Sequence, residues 1–414
     1  MNFLRERNRS WAETEEDEIP IKRTIINPRF QNKPILENQN LLTFLTTINE
    51  NKDNEIREFD TISTKNEGTS LTILHYIYDP PIYPNIRGIV VEKNEENYSI
   101  KCKSFPYTVE VSTNEISVLK EKLDENMVVL KVLEGTLFRV WWYELEEKWY
   151  ISTHRKIDSK NSRWGESPFG KLFFEIISEE ELENLLDKRL CYSFLMSHPE
   201  NRLVIPIIEK CLYHVATFDP EKNLIFYGGN LSETLTHPNI KYQQKLALNS
   251  WEEIKEYVDK LSWKEVGVMV TFNDNKFLPI KILNNKYTTK RELRGNEPNL
   301  RMRWLQCLKI NSENQLEEMY PEKNEFWKEL KEEWASLAGW LLGIYYEKYE
   351  KKNPEYLRIQ REIFWVLESF RRKVNERKIE EFSPVPYTAI MNRTIERYNP
   401  RVINALIREM KKSS

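Results

Sequence analysis

From Leu71 to about Leu308 the chain is written in short β-branched and aromatic runs divided by turn residues, a texture that calls for sheets over most of this stretch. LTILHYIY, IRGIVVE, SIKCKSF, YTVEVS, NMVVLKVLEG, TLFRVWWYEL and KWYISTH come first, each long enough for one strand. After a helical interval the texture returns in YSFLM, RLVIPII, LYHVATF, LIFYGG, VGVMVTF and FLPIKIL. The interval predicts helices at FGKLFFEII and SEEELENLLDKR, the second capped by Ser178 ahead of a glutamate-rich first turn; SWEEIKEYVDKL predicts another, capped by Ser250. From about Gln315 apolar residues recur at helical spacing, as in FWKELKEEWASLAGWLLGIYYEKY and EYLRIQREIFWVLESFRRKV. The expected fold is α+β over residues 71–310, followed by an all-helical domain over 311–414. Residues 1–70, polar apart from one helix expected around Leu41–Ile48, read as an extension.

Apolar residues make up 40% of the chain, enough to offset chain entropy over most of its 414 residues. The formal charge of -3 excludes a uniformly basic coat and leaves local clusters to decide on nucleic acid. Cys102, Cys191, Cys211 and Cys307 have neither zinc-site nor disulfide-framework spacing, which favours a reduced intracellular compartment. No run approaches membrane-spanning length, so no membrane partner is expected. His75, His154, His214 and His237 form no metal-ligand spacing, and no metal-binding residues are assigned.

Several segments carry chemistry in a definite order. IRGIVVE holds Arg87 before a strand, and KSFPYTVEV follows it. VLKVLEGTLFRVWWYELEEKWYISTHRK then forms a hairpin with Lys131, Glu134 and Gly135 on its way out and Arg155 and Lys156 on its return. KIDSKNSRWGESPFG adds Lys160 and Arg163 beside Trp164, a mixture suited to phosphate and base contacts and equally to a surface loop. YSFLMSHPENRLV contains the loop His198, Pro199, Glu200, Asn201 and Arg202; KEVGVMV holds Glu265 and Gly267; PIKILNNKY holds Lys281.

Taken together these segments resemble the nucleotidyltransferase core of phage-type RNA ligases and of ligase-like proteins from large DNA viruses. The resemblance implies a nucleotidyltransferase (ATP-grasp-like ligase) core of antiparallel sheets with helices. It implies ATP-dependent joining of RNA ends, with ATP and Mg2+ as cofactors, through a lysine that attacks the α-phosphate to give lysyl-AMP. Lys131 and Glu134 would be catalytic, while Arg87, Gly135, Arg155, Lys156, Glu265 and Lys281 would hold the nucleotide. The chain departs from the pattern at decisive places. Val132 stands where the lysine belongs, Leu195 where a strand carboxylate belongs, Val266 intrudes between Glu265 and Gly267, and Leu283 replaces a second lysine. A one-residue shift along a strand turns a side chain to the opposite face. Either a bulge brings Lys131 back to the site, or the chain is a catalytically inactive relative that binds RNA ends or nucleotide.

Basic residues persist where catalytic ones do not. The stretch from Lys281 to Arg303 holds seven Lys or Arg against two Glu, including Lys290, Arg291 and Arg294. With Lys160, Arg163, Trp164 and Arg202 these are the expected RNA contacts. In WASLAGWLLGIYYEKY, Trp334, Leu337, Leu341 and Tyr345 fall at helical spacing and read as core rather than as a stacking platform. The helical C-terminal domain is the expected surface for a protein partner, and the cytoplasm, or a virion, the expected location.

Overall fold

The computed structural model describes residues 56–76, 86–94, 98–122, 127–222, 224–227, 235–272, 278–354, 391–392, 394–396 and 398–413. The helices expected around Leu41–Ile48 and at EYLRIQREIFWVLESFRRKV lie outside them. The chain divides into two compact units: one runs up to Arg163 and includes Pro168–His198 and Glu209–Asn285, the other holds Trp164–Ser167, Pro199–Ile208 and the chain from Lys286.

Three sheets build the first unit. Strands β1 (Ile56–Ser63), β2 (Ser70–Tyr76), β3 (Arg87–Lys93) and β4 (Tyr98–Cys102) form an antiparallel meander. The second sheet has the order β13 (Lys245–Leu246), β6 (Met127–Lys131), β14 (Gly267–Phe272), β15 (Ile280–Leu283) and β5 (Val109–Ser112), antiparallel except at β15–β5. The third has the order β11 (Leu224–Tyr227), β10 (Cys211–Asp219), β9 (Cys191–Ser197), β7 (Thr136–Tyr143) and β8 (Lys148–Ser152), with β12 (Ile240–Tyr242) parallel to β10. Helices α1 (Phe169–Phe174), α2 (Glu179–Leu185) and α3 (Trp251–Lys260) complete the unit. The chain is therefore α+β with mainly antiparallel sheets, as its texture requires.

Two cores follow from strand alternation. Leu71, Ile73, Val90 and Cys102 of the meander pack with Trp141, Tyr143, Tyr150, Cys191 and Phe218 of the third sheet, where Trp141 stacks on Tyr150 at 5.0 Å. On α3, Trp251, Ile254 and Val258 recur at helical spacing and cover Val111, Val129, Val268, Val270, Phe272, Ile280 and Ile282 of the second sheet. The cap residues behave as expected. Ser178 forms a reciprocal capping box with Glu181, and the Ser250 hydroxyl accepts from the Glu253 N–H at 3.1 Å.

Three expectations need correction. Strand β1 falls inside the segment read as a polar extension: a bulge between Glu58 and Asp60 breaks its alternation, so only Phe59 and Ile62 mark its packed side. RLVIPII forms no strand, because Arg202 and Pro206 interrupt it and the loop is held by side-chain contacts instead. Helices begin well before Gln315, with α4 (Asn285–Arg294) and α5 (Leu300–Leu308), the latter capped by Asn299, whose side chain accepts from Arg301 and Met302. The unit boundary accordingly falls at Asn285, not near residue 310.

In the second unit α5 packs against α6 (Glu313–Met319) and α8 (Pro400–Ser413), and α7 (Asn324–Tyr345) packs against α8. Trp334, Leu337, Leu341 and Tyr345 are buried on one face of α7, which is core packing as their spacing indicates. Among the described residues no helix is long and apolar enough to cross a membrane.

Gly267 opens β14 with φ +143°, and a Cβ there would strike the Ile282 carbonyl of β15. Both the dihedral and the contact forbid a side chain. Gly267→Ala is expected to lower unfolding free energy by roughly 2 kcal/mol or more, read as a reduced denaturant midpoint; an unchanged midpoint would refute this account of the β14–β15 junction.

Candidate functional site

The second sheet places the residues that resemble the ligase motifs. Strand β6 pairs with β14 in continuous register from Met127↔Phe272 to Lys131↔Val268, with no bulge. Val129, Val268, Val270, Ile280 and Ile282 all point toward α3, so by alternation Lys131 lies on the α3 side as well. Its amine donates to the Glu265 carboxylate at 2.9 Å, in the turn that follows α3. The contact holds the Glu265 carboxyl below the ordinary carboxylate range. Both side chains are about 30% exposed, 29% and 30%, so the pair fixes geometry more than it adds stability.

The opposite face carries a different row. Leu130, Met269, Lys281 and Glu110 are consecutive cross-strand neighbours, and Lys281 pairs with Glu110 at 3.4 Å. Val132 follows Leu130: its N–H continues the ladder to the Gly267 carbonyl at 3.0 Å, and its side chain is only 8% exposed. Lys131 and Lys281 thus face opposite sides of one sheet. The bulge that would have united them is absent. Leu195 on β9 is flanked by Leu137 and Tyr213, so an apolar patch occupies the place of the carboxylate. Glu134 is half-buried in the β6–β7 connection. Gly135 has a local reason for its identity, because a Cβ there would strike the Met196 carbonyl of β9; close packing against a strand requires the glycine.

Arg87 sits apart from that row, in a cluster of cations and rings. Its guanidinium lies 4.9 Å from the Phe105 centroid and 5.4 Å from that of Tyr107. Tyr107 hydroxyl is 3.1 Å from His75 Nε2, and the His75 ring stacks on His154 at 5.9 Å. Arg155, exposed, covers Phe59 at 5.1 Å. Arg139 enters from β7, 1% exposed, and donates to the Thr153 carbonyl. Burial first, then the charges of Arg155, Arg87 and Arg139, lowers the His75 pKa to about 3; burial and the same arginines hold His154 well below its ordinary value. Sequence reasoning missed Arg139, His75 and His154. One signal was legible: a lone arginine at an inward position of FRVWWY.

The remaining expected contacts divide into structural and exposed groups. Lys156 pairs with Asp60 at 3.4 Å and Lys160 with Glu179 at 3.2 Å. Arg163 is exposed, and Trp164 is half-buried. Arg202 stacks on Tyr320 at 4.4 Å, pairs with Glu322 and donates to the Met319 and Val204 carbonyls, contacts that staple the HPENR loop. Arg294, 3% exposed, donates to the Glu297 and Pro298 carbonyls beyond α4, and Arg303 caps the same helix through Leu293 and Glu292. On α4, Lys290 is half-buried and Arg291 exposed.

No family model matches the chain. It is 29% identical over 294 residues to the Immediate-early protein ICP-46 homolog of Invertebrate iridescent virus 3, a match covering 66% of this chain and 61% of that protein, less than two thirds of the relative's length. Among solved structures it is similar to an archaeal ATP-dependent RNA ligase, with TM-score 0.42 and 11% identity over 70% of this chain and 74% of the other. It is also similar to a Naegleria gruberi RNA ligase mutant solved with ATP and Mn, with TM-score 0.36 and 13% identity over 46% and 58%.

Because folded His75 resists protonation while the unfolded chain takes a proton at the ordinary histidine value, stability is full above about pH 6.5 and falls as pH drops toward 3. His154 and His214, lowered by burial first in each case, act in the same direction. Melting temperature should therefore decline between pH 6.5 and 4, and His75→Gln should flatten part of that decline. An identical slope in the variant would remove His75 from the account.

Proposed function

We propose that this chain is a ligase-type nucleotidyltransferase-fold protein that binds RNA without forming lysyl-AMP. The observation that carries the reading is the continuous β6–β14 register, which puts buried Val132 where an attacking amine is needed and ties Lys131 to Glu265 on the other face. A lysine amine held by a carboxylate at 2.9 Å is not aimed at a phosphate on the far side of the sheet. The donor set does not fit Mg2+-assisted adenylyl transfer either. Leu195 and Leu283 are apolar, Glu110 is taken by Lys281, and Glu265 by Lys131.

RNA binding draws on cations that structure leaves accessible: Lys286, Lys290 and Arg291 of α4 in one unit, Arg155 and Arg163 in the other. Each phosphate contact releases counterions and so adds salt-sensitive affinity. Incubation of the folded protein with radiolabelled ATP and Mg2+ or Mn2+ is expected to give no covalent AMP band. A band lost on Lys131→Ala would overturn the non-catalytic half of the proposal. Single-stranded RNA should bind at low salt, with the double variant Lys290→Ala, Arg291→Ala reducing the log–log salt slope by roughly 0.7 per residue. Absence of binding at low salt would overturn the other half.

A further inference from the structure

Arg139 is the least accommodated charge among the described residues of the first unit. It stands on β7 between Ser193 of β9 and Ser152 of β8, 1% exposed. One of its nitrogens donates to the Thr153 carbonyl, while Nε and Nη1 have no hydrogen-bond partner among the described residues. His75 Nδ1 and His154 Nε2, in the same cluster, are likewise buried and unpartnered there. A buried guanidinium with unmet N–H groups costs several kcal/mol unless an anion or acceptor completes it. Native structures keep such arrangements where a ligand supplies the acceptors.

The neighbours point to the acceptor's sign and shape. Arg87 and Arg155 lie close enough to act on both histidines, and Arg139 acts on both as well. Gly88, with φ +66°, lets β3 approach the His154 backbone so closely that a Cβ would stand 2.7 Å from its Cα; this fixes Arg87 beside His154. Tyr107 and Phe105 hold the Arg87 guanidinium in place, and exposed Arg155 marks the side open to solvent. Guanidinium forks and ring N–H groups gathered in one cluster are donors of the kind that the oxygens of a tetrahedral dianion accept.

We propose that Arg139, Arg87, Arg155, His75 and His154 form a binding site for a phosphate group, carried as a monoester or as free phosphate. The site shares Arg155 with the proposed RNA-binding cations and does not rest on RNA binding through α4. Among the described residues Glu110 acts as a counter-charge on Arg87, and the Cys102 thiol competes for that role at Arg139. Burial alone would raise the Cys102 thiol, yet the hydrogen bond from Cys191 and the charge of Arg139 bring it below its ordinary value.

The test is calorimetric titration of the full chain with inorganic phosphate and with pyrophosphate, at ionic strength held constant by chloride. Oligonucleotides bearing a 5′-phosphate or a 5′-hydroxyl are compared in parallel. Binding is expected, and Arg155→Ala, exposed and safe for the fold, should weaken it by about tenfold or more. Arg139→Gln should abolish it, with circular dichroism confirming that the variant folds. A preference for the 5′-phosphate strand identifies a nucleic-acid end as the source, whereas binding of free phosphate alone identifies a small anion; either result sustains the site. No binding of phosphate, pyrophosphate or 5′-phosphate would overturn it, as would binding unchanged in Arg155→Ala. So would a thiolate absorbance at neutral pH that Cys102→Ser removes together with no response to phosphate.

Discussion

The pairing of β6 with β14 runs from Met127↔Phe272 to Lys131↔Val268 without interruption, and its parity decides which side chains share a face. The α3 helix fixes that parity. Trp251, Ile254 and Val258 need an apolar floor, which Val129, Val268, Val270, Ile280 and Ile282 supply in this register. Sliding β6 by one residue would carry Lys131 to the face of Lys281, turn Val129 away from the helix and bring Val128 and Leu130 under α3 in its place. The slip would also break the Lys131–Glu265 pair and force differently shaped aliphatic side chains into both packed faces, a change that costs typically about 1–3 kcal/mol. Core packing therefore holds the lysine out of position.

The third sheet shows the opposite balance. There the core tolerates a charge, Arg139, in the middle of FRVWWY, with Trp141 and Tyr143 packed on the same face. A leucine at that place would satisfy the sheet at lower cost, since replacing a buried charge by a well-packed apolar group is commonly neutral or stabilising. Structural economy does not explain the arginine. Its environment of two neutral histidines and two further guanidiniums is what a bound anion would relieve.

Much of the fold was legible because strand and helix periodicities survive in the sequence. The strands at LTILHYIY, IRGIVVE and VGVMVTF and the caps at Ser178 and Ser250 formed where pattern and capping chemistry placed them. Strand β1 was hidden because a bulge spoils its alternation, and RLVIPII misled because apolar content alone does not distinguish a strand from a loop that buries Val204 and leaves Ile208 exposed. At the site, the face of Lys131 followed from counting by twos, but its partner Glu265 did not, being 134 residues away. The cluster around Arg139 joins residues from β2, β3, β7 and the loop after β8, and no local pattern announces such an assembly.

The basic stretch from Lys281 to Arg303 illustrates why charge counting overstates binding surface. Arg303 closes the C-terminal end of α4 by donating to the Leu293 and Glu292 carbonyls that a helix leaves unpaired, Arg294 donates to the Glu297 carbonyl beyond that end, and Arg301 pairs with Glu333. Lys281 is engaged with Glu110. Backbone carbonyls and carboxylates thus engage these four of the seven cations that the sequence concentrates there. On the α4 face Lys286 and Arg291 are exposed and Lys290 is half-buried. A few such contacts support only weak, salt-sensitive, sequence-independent attraction. Specificity, if the chain has any, must come from a site that can count oxygens, and the arginine–histidine cluster of the first unit has the donors for that.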